Sequence, residues 1–527
     1  MDPWTLRATR IEDEKKQDNP VNQNRLFKRL RQACQLLFLA LFLALFRLTD
    51  YSGADTIPYA VNIFFRWDPL VAASVMLAGR AFIFLLLPSL AVIGLTLVFG
   101  RVFCGWICPL GTLIDAGGKV IQPVRRTPLR WRAAKYMVLT AVLVSAAFGV
   151  QWVGFVDPFA LLVRGLTIAV DPMLNAMVAA GFDAVYFHGP SWAVPSSEAV
   201  YDVFRDFILP YKQSRFLLPF FTFFMLAAIF AMELLGRRFW CRTLCPLGAM
   251  LALVSRFSFF RRIPLSSCKG CDACRQQCRM DAFTENREMM AEECSLCMDC
   301  LDFCPRTITT FRFSRPVNKT GPDLGRRHLL AAGLAGLALP FLSRIDAAAS
   351  APLQRVIRPP GALVEEDFLK TCVRCGECMK VCIQNALQPV FLEQGVEAMF
   401  TPKLLPRLGY CEFNCTLCGQ VCPTGAISRL TLDEKHAFVM GRAVIDKNRC
   451  LPFARSVPCI VCEEHCPTHD KAIRFETVQA VDTGGNTVTL KRPYVVEALC
   501  VGCGICETVC PVAGRAAIYV VAEKRGW

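Results

Sequence analysis

Histidine is scarce. The 527 residues hold five, at 188, 328, 436, 465 and 469, and no C-x-x-C-H occurs, so a covalent c-type haem has no attachment point. None of the five lies in the long apolar stretches of the chain, which removes a bis-histidine haem from them; no haem is expected. Charge is also thin, at 20% of residues against about 25% in an average globular protein. The net charge of +15 is local: from residue 351 onward 20 basic residues face 18 acidic ones. The excess therefore sits beside the apolar stretches, and nucleic-acid binding explains it poorly. Cysteine, at 29, is plentiful, yet it stays below the 8–10% of disulfide scaffolds.

What fills the space is apolar. Hydrophobic residues make up 54% of the chain, and the mean hydropathy is +0.37. Four stretches have the roughly 20 residues needed to span a bilayer: Leu30 to Leu48, Ala81 to Phe99, Tyr136 to Val156 and Phe216 to Leu235. Arginine and lysine gather before the first stretch, between the second and third, and after the fourth, whereas the alternate segments carry Asp50, Asp68, Asp157 and Asp171. The positive-inside rule then puts the N-terminus on the cytoplasmic side. These signals predict a basic N-terminal segment over 1–29 and a four-helix transmembrane module over 30–262.

Twenty-four cysteines form six quartets. The first two are Cys268, Cys271, Cys274, Cys278 and Cys294, Cys297, Cys300, Cys304, both C-x2-C-x2-C-x3-C. The third is Cys372, Cys375, Cys378, Cys382, and the fourth Cys411, Cys415, Cys418, Cys422. The fifth is Cys450, Cys459, Cys462, Cys466, and the sixth Cys500, Cys503, Cys506, Cys510. Three thiolates from one short loop and a fourth from the partner motif wrap a [4Fe–4S] cube, a spacing that zinc ribbons do not require. Six [4Fe–4S] clusters are expected. Cys304 should complete the first motif's cluster and Cys278 the second's, although Arg279 stands where Pro is usual. Among the last four quartets the expectation is nested: third with sixth, fourth with fifth. The fold class is then an α-helical membrane domain plus α+β ferredoxin-like domains, a two-cluster one over 263–315 and a four-cluster one over 351–527. The segment Asp482-Thr483-Gly484-Gly485-Asn486 reads as a hairpin turn within the latter.

The membrane half looks duplicated. Each half has an Asp-Pro pair (Asp68-Pro69, Asp157-Pro158) and ends in C-x3-C-P-L-G, at Cys104 to Gly111 and at Cys241 to Gly248. Brought together, Cys104, Cys108, Cys241 and Cys245 offer four thiolates for a redox cofactor or additional metal centre, a dithiol relay, or two structural disulfides, the last disfavoured on a reducing face. Cys34 reads as a small apolar filler. His465 and His469 flank Cys466, either tuning a cluster or simply solvated. Between the cysteine-rich regions, 322–350 carries Arg326-Arg327, an apolar run to Leu342 and Ala347-Ala348-Ala349. It reads as an internal twin-arginine signal cut after Ala349, a fifth membrane helix, or an amphipathic linker.

The module with two C-x3-C-P motifs and two ferredoxin motifs resembles NapH/MauN-type membrane ferredoxins, akin to the membrane parts of NosR and CcoG. The part from Arg326 onward resembles the NapG/MauM ferredoxins. The resemblance to such a fusion implies a multi-pass protein of the bacterial inner membrane, with the first ferredoxin domain cytoplasmic and the second periplasmic. It also implies a quinol dehydrogenase passing electrons from the membrane quinol pool to a periplasmic reductase or cytochrome c. The alternative is a NosR- or CcoG-like donor that matures or regulates a partner's metal site. Quinol oxidation needs a proton acceptor near the membrane surface; Glu233 and Asp115 are the candidates, unless each is salt-bridged or snorkelling.

Overall fold

The structure is a computed structural model describing residues 20–121, 129–192, 194–207, 209–210, 212–264, 271, 273–284, 289–304, 309–315, 325–349, 356–481 and 487–522. About half of the chain is helical. Helix α1 (Pro20–Leu48) is an uninterrupted Leu-, Phe- and Ala-rich run with no helix breaker after its first residue. Its stretch Leu26–Leu48 is long and apolar enough to cross a membrane. The two cysteine-rich regions hold opposite ends of this helix. Near its start Lys28 pairs with Asp302 at 2.7 Å and Arg31 with Asp299 at 3.5 Å. Near its end Lys380 lies over the Phe46 ring at 4.0 Å and pairs with Asp50 at 2.8 Å. At 1.5 Å per residue, Arg31 and Phe46 are about 22 Å apart along the axis.

The expectation of four spans needs correction. Among the described residues α1 and the continuous helical stretch Pro158–His188 are the two helices long and apolar enough to cross a membrane, and the latter falls between the third and fourth expected stretches. The second stretch is broken: α2 (Pro69–Gly79) ends at Arg80, whose φ of 47° stops a helix, and α3 (Ser89–Phe99) starts only after Pro88. After α4 (Pro109–Val120), α5 (Ala133–Ala147) is cut short by the turn at Gly149. The long stretch comprises α6 (Pro158–Gly165), a π-widened turn and α7 (Asp171–His188); α8 (Pro219–Ala231) and α9 (Pro246–Ser255) follow.

The duplication is visible in the caps. Asp68 accepts from the amides of Leu70 (2.7 Å) and Val71 (3.1 Å) at the start of α2, and Asp157 accepts from Ala160 (2.8 Å) at the start of α6. A proline follows each, preset for the first helical position. The two buried carboxyls are electrostatic neighbours, so the two halves meet at their matching residues.

Strands β1 (Phe260–Pro264) and β2 (Thr309–Phe313) pair antiparallel around the first two quartets. Strands β3 (Leu387–Pro389) and β4 (Pro402–Leu404) separate the third quartet from the fourth, and an Ala362–Ile427 bridge closes around both. The fifth and sixth are enclosed by β5 (Gly441–Ile445) with β8 (Ile518–Ala522). Between them β6 (Ile473–Val481) and β7 (Thr487–Val495) pair down to Val481 with Thr487; the expected turn at 482–486 lies outside the described residues. Val373 and Cys375 join the buried core of the helical module, so the C-terminal region packs directly on it.

The segment beginning at Arg326 forms α10 (Arg326–Ala349), which lies along α5. A side chain at Gly336 would come within 2.9 Å of the Ala141 carbonyl and Val144, so glycine is what lets the helices touch. Ser350, beside the expected cleavage point, is outside the described residues.

The first ferredoxin region is fastened to the module by Glu293. Lys135 contacts both its oxygens at 2.6 and 2.7 Å, and Arg101 stands 3.6 Å away, with neither cation exposed. Glu293→Gln strands two buried cations without their countercharge and should cost about 3–5 kcal/mol. A lower thermal midpoint of the purified chain, largely restored by Glu293→Asp, is the expected result.

Candidate metal centres

The thiols group in fours, each set built from two neighbouring motifs. Cys274 has Cys271 and Cys304 as electrostatic neighbours; Cys268, expected to complete site I, lies outside the described residues. Cys294, Cys297 and Cys300 gather with Cys278 as site II. Both groupings match the expected exchange. The nested expectation for the remainder is corrected. Cys372, Cys375 and Cys378 gather with Cys422 (site III), and Cys411, Cys415 and Cys418 with Cys382 (site IV). Cys450, Cys459 and Cys462 gather with Cys510 (site V), and Cys500, Cys503 and Cys506 with Cys466 (site VI). The reason is local closure: each enclosing strand or bridge pairs the flanks of two successive motifs, which folds them onto each other.

The sites adjoin in the order III, IV, VI, V. Cys378 neighbours Cys418; the Cys411 amide donates to the Cys503 carbonyl at 2.9 Å; Cys506 neighbours Cys462. Burial pushes the thiols up, Cys294 and Cys411 to about 12 and Cys450 to about 11, so iron binding must displace protons here. Every described cysteine is a free thiol, and among the described residues no three His, Cys, Asp or Glu side chains converge tightly enough for a single metal ion. Two threonines escaped sequence reasoning: Thr424 and Thr468, each in C-P-T, place Oγ1 3.9 Å from Cys422 and 3.3 Å from Cys466. The histidines do not play that part, since His465 bonds the Val461 carbonyl at 3.0 Å and His469 stands exposed.

The four C-x3-C-P thiols also converge. Cys108 neighbours Cys104 and Cys241, and Cys245 neighbours all three others. Beside them is a cavity of about 450 Å³ lined by Arg31, Gln35, Asp115, Glu233, Arg238 and Arg279 among others. Both proton-acceptor candidates therefore share one chamber. They differ in freedom. Asp115 receives Arg238 through both oxygens at 2.7 Å, Gln35 at 3.0 Å and Arg279 at 3.0 Å. Burial alone would raise its pKa, but Arg238 and Arg279 hold it well below the usual carboxylate range. Glu233 makes no such ion pair among the described residues; its carboxylate faces the backbone amides of Arg238 and Phe239. Arg279, the departure from the usual Pro, bridges Asp115 to Asp299 (2.7 Å) and so ties site II to the cavity. Cys34, half-buried on α1, belongs to none of these groups.

A 4Fe-4S binding domain model matches residues 71–128, 218–264 and 418–437, the first two ranges containing the C-x3-C-P motifs. A 4Fe-4S dicluster domain model matches 371–426, which holds the third and fourth quartets together, and another 4Fe-4S binding domain model matches 493–513. The chain is 35% identical over 216 residues to the methylamine utilization ferredoxin-type protein MauM of Methylorubrum extorquens, covering 40% of this chain and 94% of that protein. It is 37% identical over 201 residues to the ferredoxin-type protein NapG of Escherichia coli, covering 36% and 82%. The regulatory protein NosR of Pseudomonas aeruginosa is 25% identical over 305 residues, 54% of this chain but 34% of NosR. No solved structure matches.

Consecutive exchange has a direct test. Cys422→Ser should remove the same EPR signal as Cys375→Ser, and Cys510→Ser the same signal as Cys459→Ser. Nested exchange would instead link Cys510 to Cys375.

Proposed function

Because the chain belongs to the MauM/NapG ferredoxin-type proteins and carries electrons through iron–sulfur centres, we propose that it is a membrane quinol dehydrogenase. In this reading a NapH-like part (30–262 with 263–315) and a NapG-like part (351–527) are fused through α10, which stays as a membrane helix. The first ferredoxin domain is cytoplasmic and the second periplasmic, delivering electrons to a periplasmic reductase or cytochrome c. The attachment of the two regions to opposite ends of α1 supports that topology.

The observation that carries the reading is the cavity. It lies between the C-x3-C-P thiols and site II, with Arg238 an electrostatic neighbour of both Cys241 and Cys297. Leu36, on its lining, is exposed on the apolar face of α1, where a lipid-borne substrate would arrive. Oxidation of a quinol to a quinone releases two electrons and two protons. Glu233 accepts the two protons in turn from the quinol hydroxyls, passing the first on to water in the cavity before taking the second. Arg31, whose Nε and Nη1 lack a hydrogen-bond partner, donates to the quinol oxygens, while Asp115 holds Arg238 in place. The cysteine quartets would hold [4Fe–4S] clusters, which supply one-electron carriers when bound.

A second reading, partner maturation or regulation, draws on the NosR match, which extends over more of this chain than the MauM match. One experiment separates them. In membranes, a quinol analogue should reduce the cluster EPR signals at catalytic rates, and Glu233→Gln should slow that about a hundredfold while leaving dithionite reduction unchanged. Reduction that is slow and needs a partner would favour maturation; unchanged rates in Glu233→Gln would remove Glu233 from the mechanism.

A further inference from the structure

The C-x3-C-P cage contains more than four thiols. Cys108 and Cys245 are N-cap residues, each followed by the proline that opens α4 or α9, so two helix N-termini with their unpaired amides and partial positive charge point at the thiols. The Gly248 amide already donates to Cys245 Sγ at 3.3 Å.

Three residues before each first cysteine stands an arginine, Arg101 before Cys104 and Arg238 before Cys241. The two cross over. Arg238, from the second half, donates to the Cys104 carbonyl at 3.2 Å and the Gly111 carbonyl at 3.3 Å, both in the first motif. Arg101, from the first half, extends to the second motif: its Nη2 would lie 2.9 Å from a β-carbon at Gly248, and Cys245 is among its electrostatic neighbours. Neither is more than 2% exposed. Arg101 Nε and Nη2 have no hydrogen-bond partner, an expensive condition for buried donors on a cation. Nearby, three carboxylates (Asp115, Asp299 and Glu293) are shared among five cations: Arg31, Arg101, Lys135, Arg238 and Arg279.

We infer that Cys104, Cys108, Cys241 and Cys245 hold a seventh [4Fe–4S] cluster, an anionic group whose charge is balanced by the crossed pair Arg101 and Arg238. The inference rests on the electron-transfer reading and adds a carrier inside the module. From there Phe103, next to Cys104, meets Phe159 edge-on at 6.1 Å, and Arg164 on the same helix as Phe159 neighbours Cys375 of site III. The arginines are positioning residues here. They fix the cage and set the cost of adding negative charge to it.

Iron and acid-labile sulfide per chain, measured on anaerobically purified full-length protein, test this. The double variant Cys104→Ser/Cys245→Ser should lose about four irons and four sulfides while the signals of the other clusters persist, which also shows that the chain has folded. Unchanged iron, with these cysteines titrating as free thiols or as a disulfide, overturns the inference, as does one zinc per chain in the wild type that this variant loses. Arg101→Gln should keep the iron but lower the midpoint potential of one signal alone, with Arg101→Lys restoring it; an unmoved potential overturns the charge-balancing role. Neither measurement involves quinol. Lost iron without quinol reduction would leave this cluster standing and sink the dehydrogenase reading, and retained iron with quinol reduction would do the reverse.

Discussion

The Arg238–Asp115 ion pair is the joint on which the C-x3-C-P end of the architecture depends. One guanidinium makes two 2.7 Å contacts to Asp115 and bonds two carbonyls of the first C-x3-C-P motif while its own backbone belongs to the second. Asp115 also takes Arg279 from the first ferredoxin region and Gln35 from α1. Four separate parts of the chain are therefore fixed by one half-buried carboxylate. A buried pair of this kind gives little net stability against an apolar substitute, because both charges lose their hydration. What it does give is register: one guanidinium from the second half must meet two carbonyls of the first motif and the carboxylate together.

The opposite end is held differently. There the matching aspartates Asp68 and Asp157 cap helices and lie beside each other, and the junction to the C-terminal region is a cation over Phe46 and apolar packing of Val373 and Cys375. Arg164 and Arg374 add to it, with Arg164 over the Phe400 ring at 4.2 Å and Arg374 near Phe155 at 5.0 Å. Guanidinium stacking of this kind tolerates low dielectric better than a hydrated ammonium would. Both ends thus use arginine, one against carboxylates and one against aromatic faces.

Much of this was legible in the chain before any coordinates. Thiol ligand sets follow from spacing, because three ligands on one loop require it, and the exchange between the first two motifs follows from having only one partner. The exchange among the last four does not. With four motifs several pairings satisfy the same spacing, and the choice rests on long-range strand pairing such as Gly441 with Ala522, which no local pattern encodes. Apolar length likewise could not reveal that the second stretch breaks at Arg80 and Pro88, or that Pro158–His188 continues through a π-widened turn. The arginine three residues before each C-x3-C-P was present as a repeated signal, but its meaning needs the crossing, which only the folded duplication supplies.

Duplication also explains why the cage sits where it does. A single C-x3-C-P loop has two ligands and one helix N-terminus, too few to hold a cluster or to offset its charge. Pairing the two halves doubles both and brings the doubled ligands together. The same operation brings Asp68 against Asp157 at the other end of the module. A repeat that brings its cysteines together at one end therefore brings its helix caps together at the other.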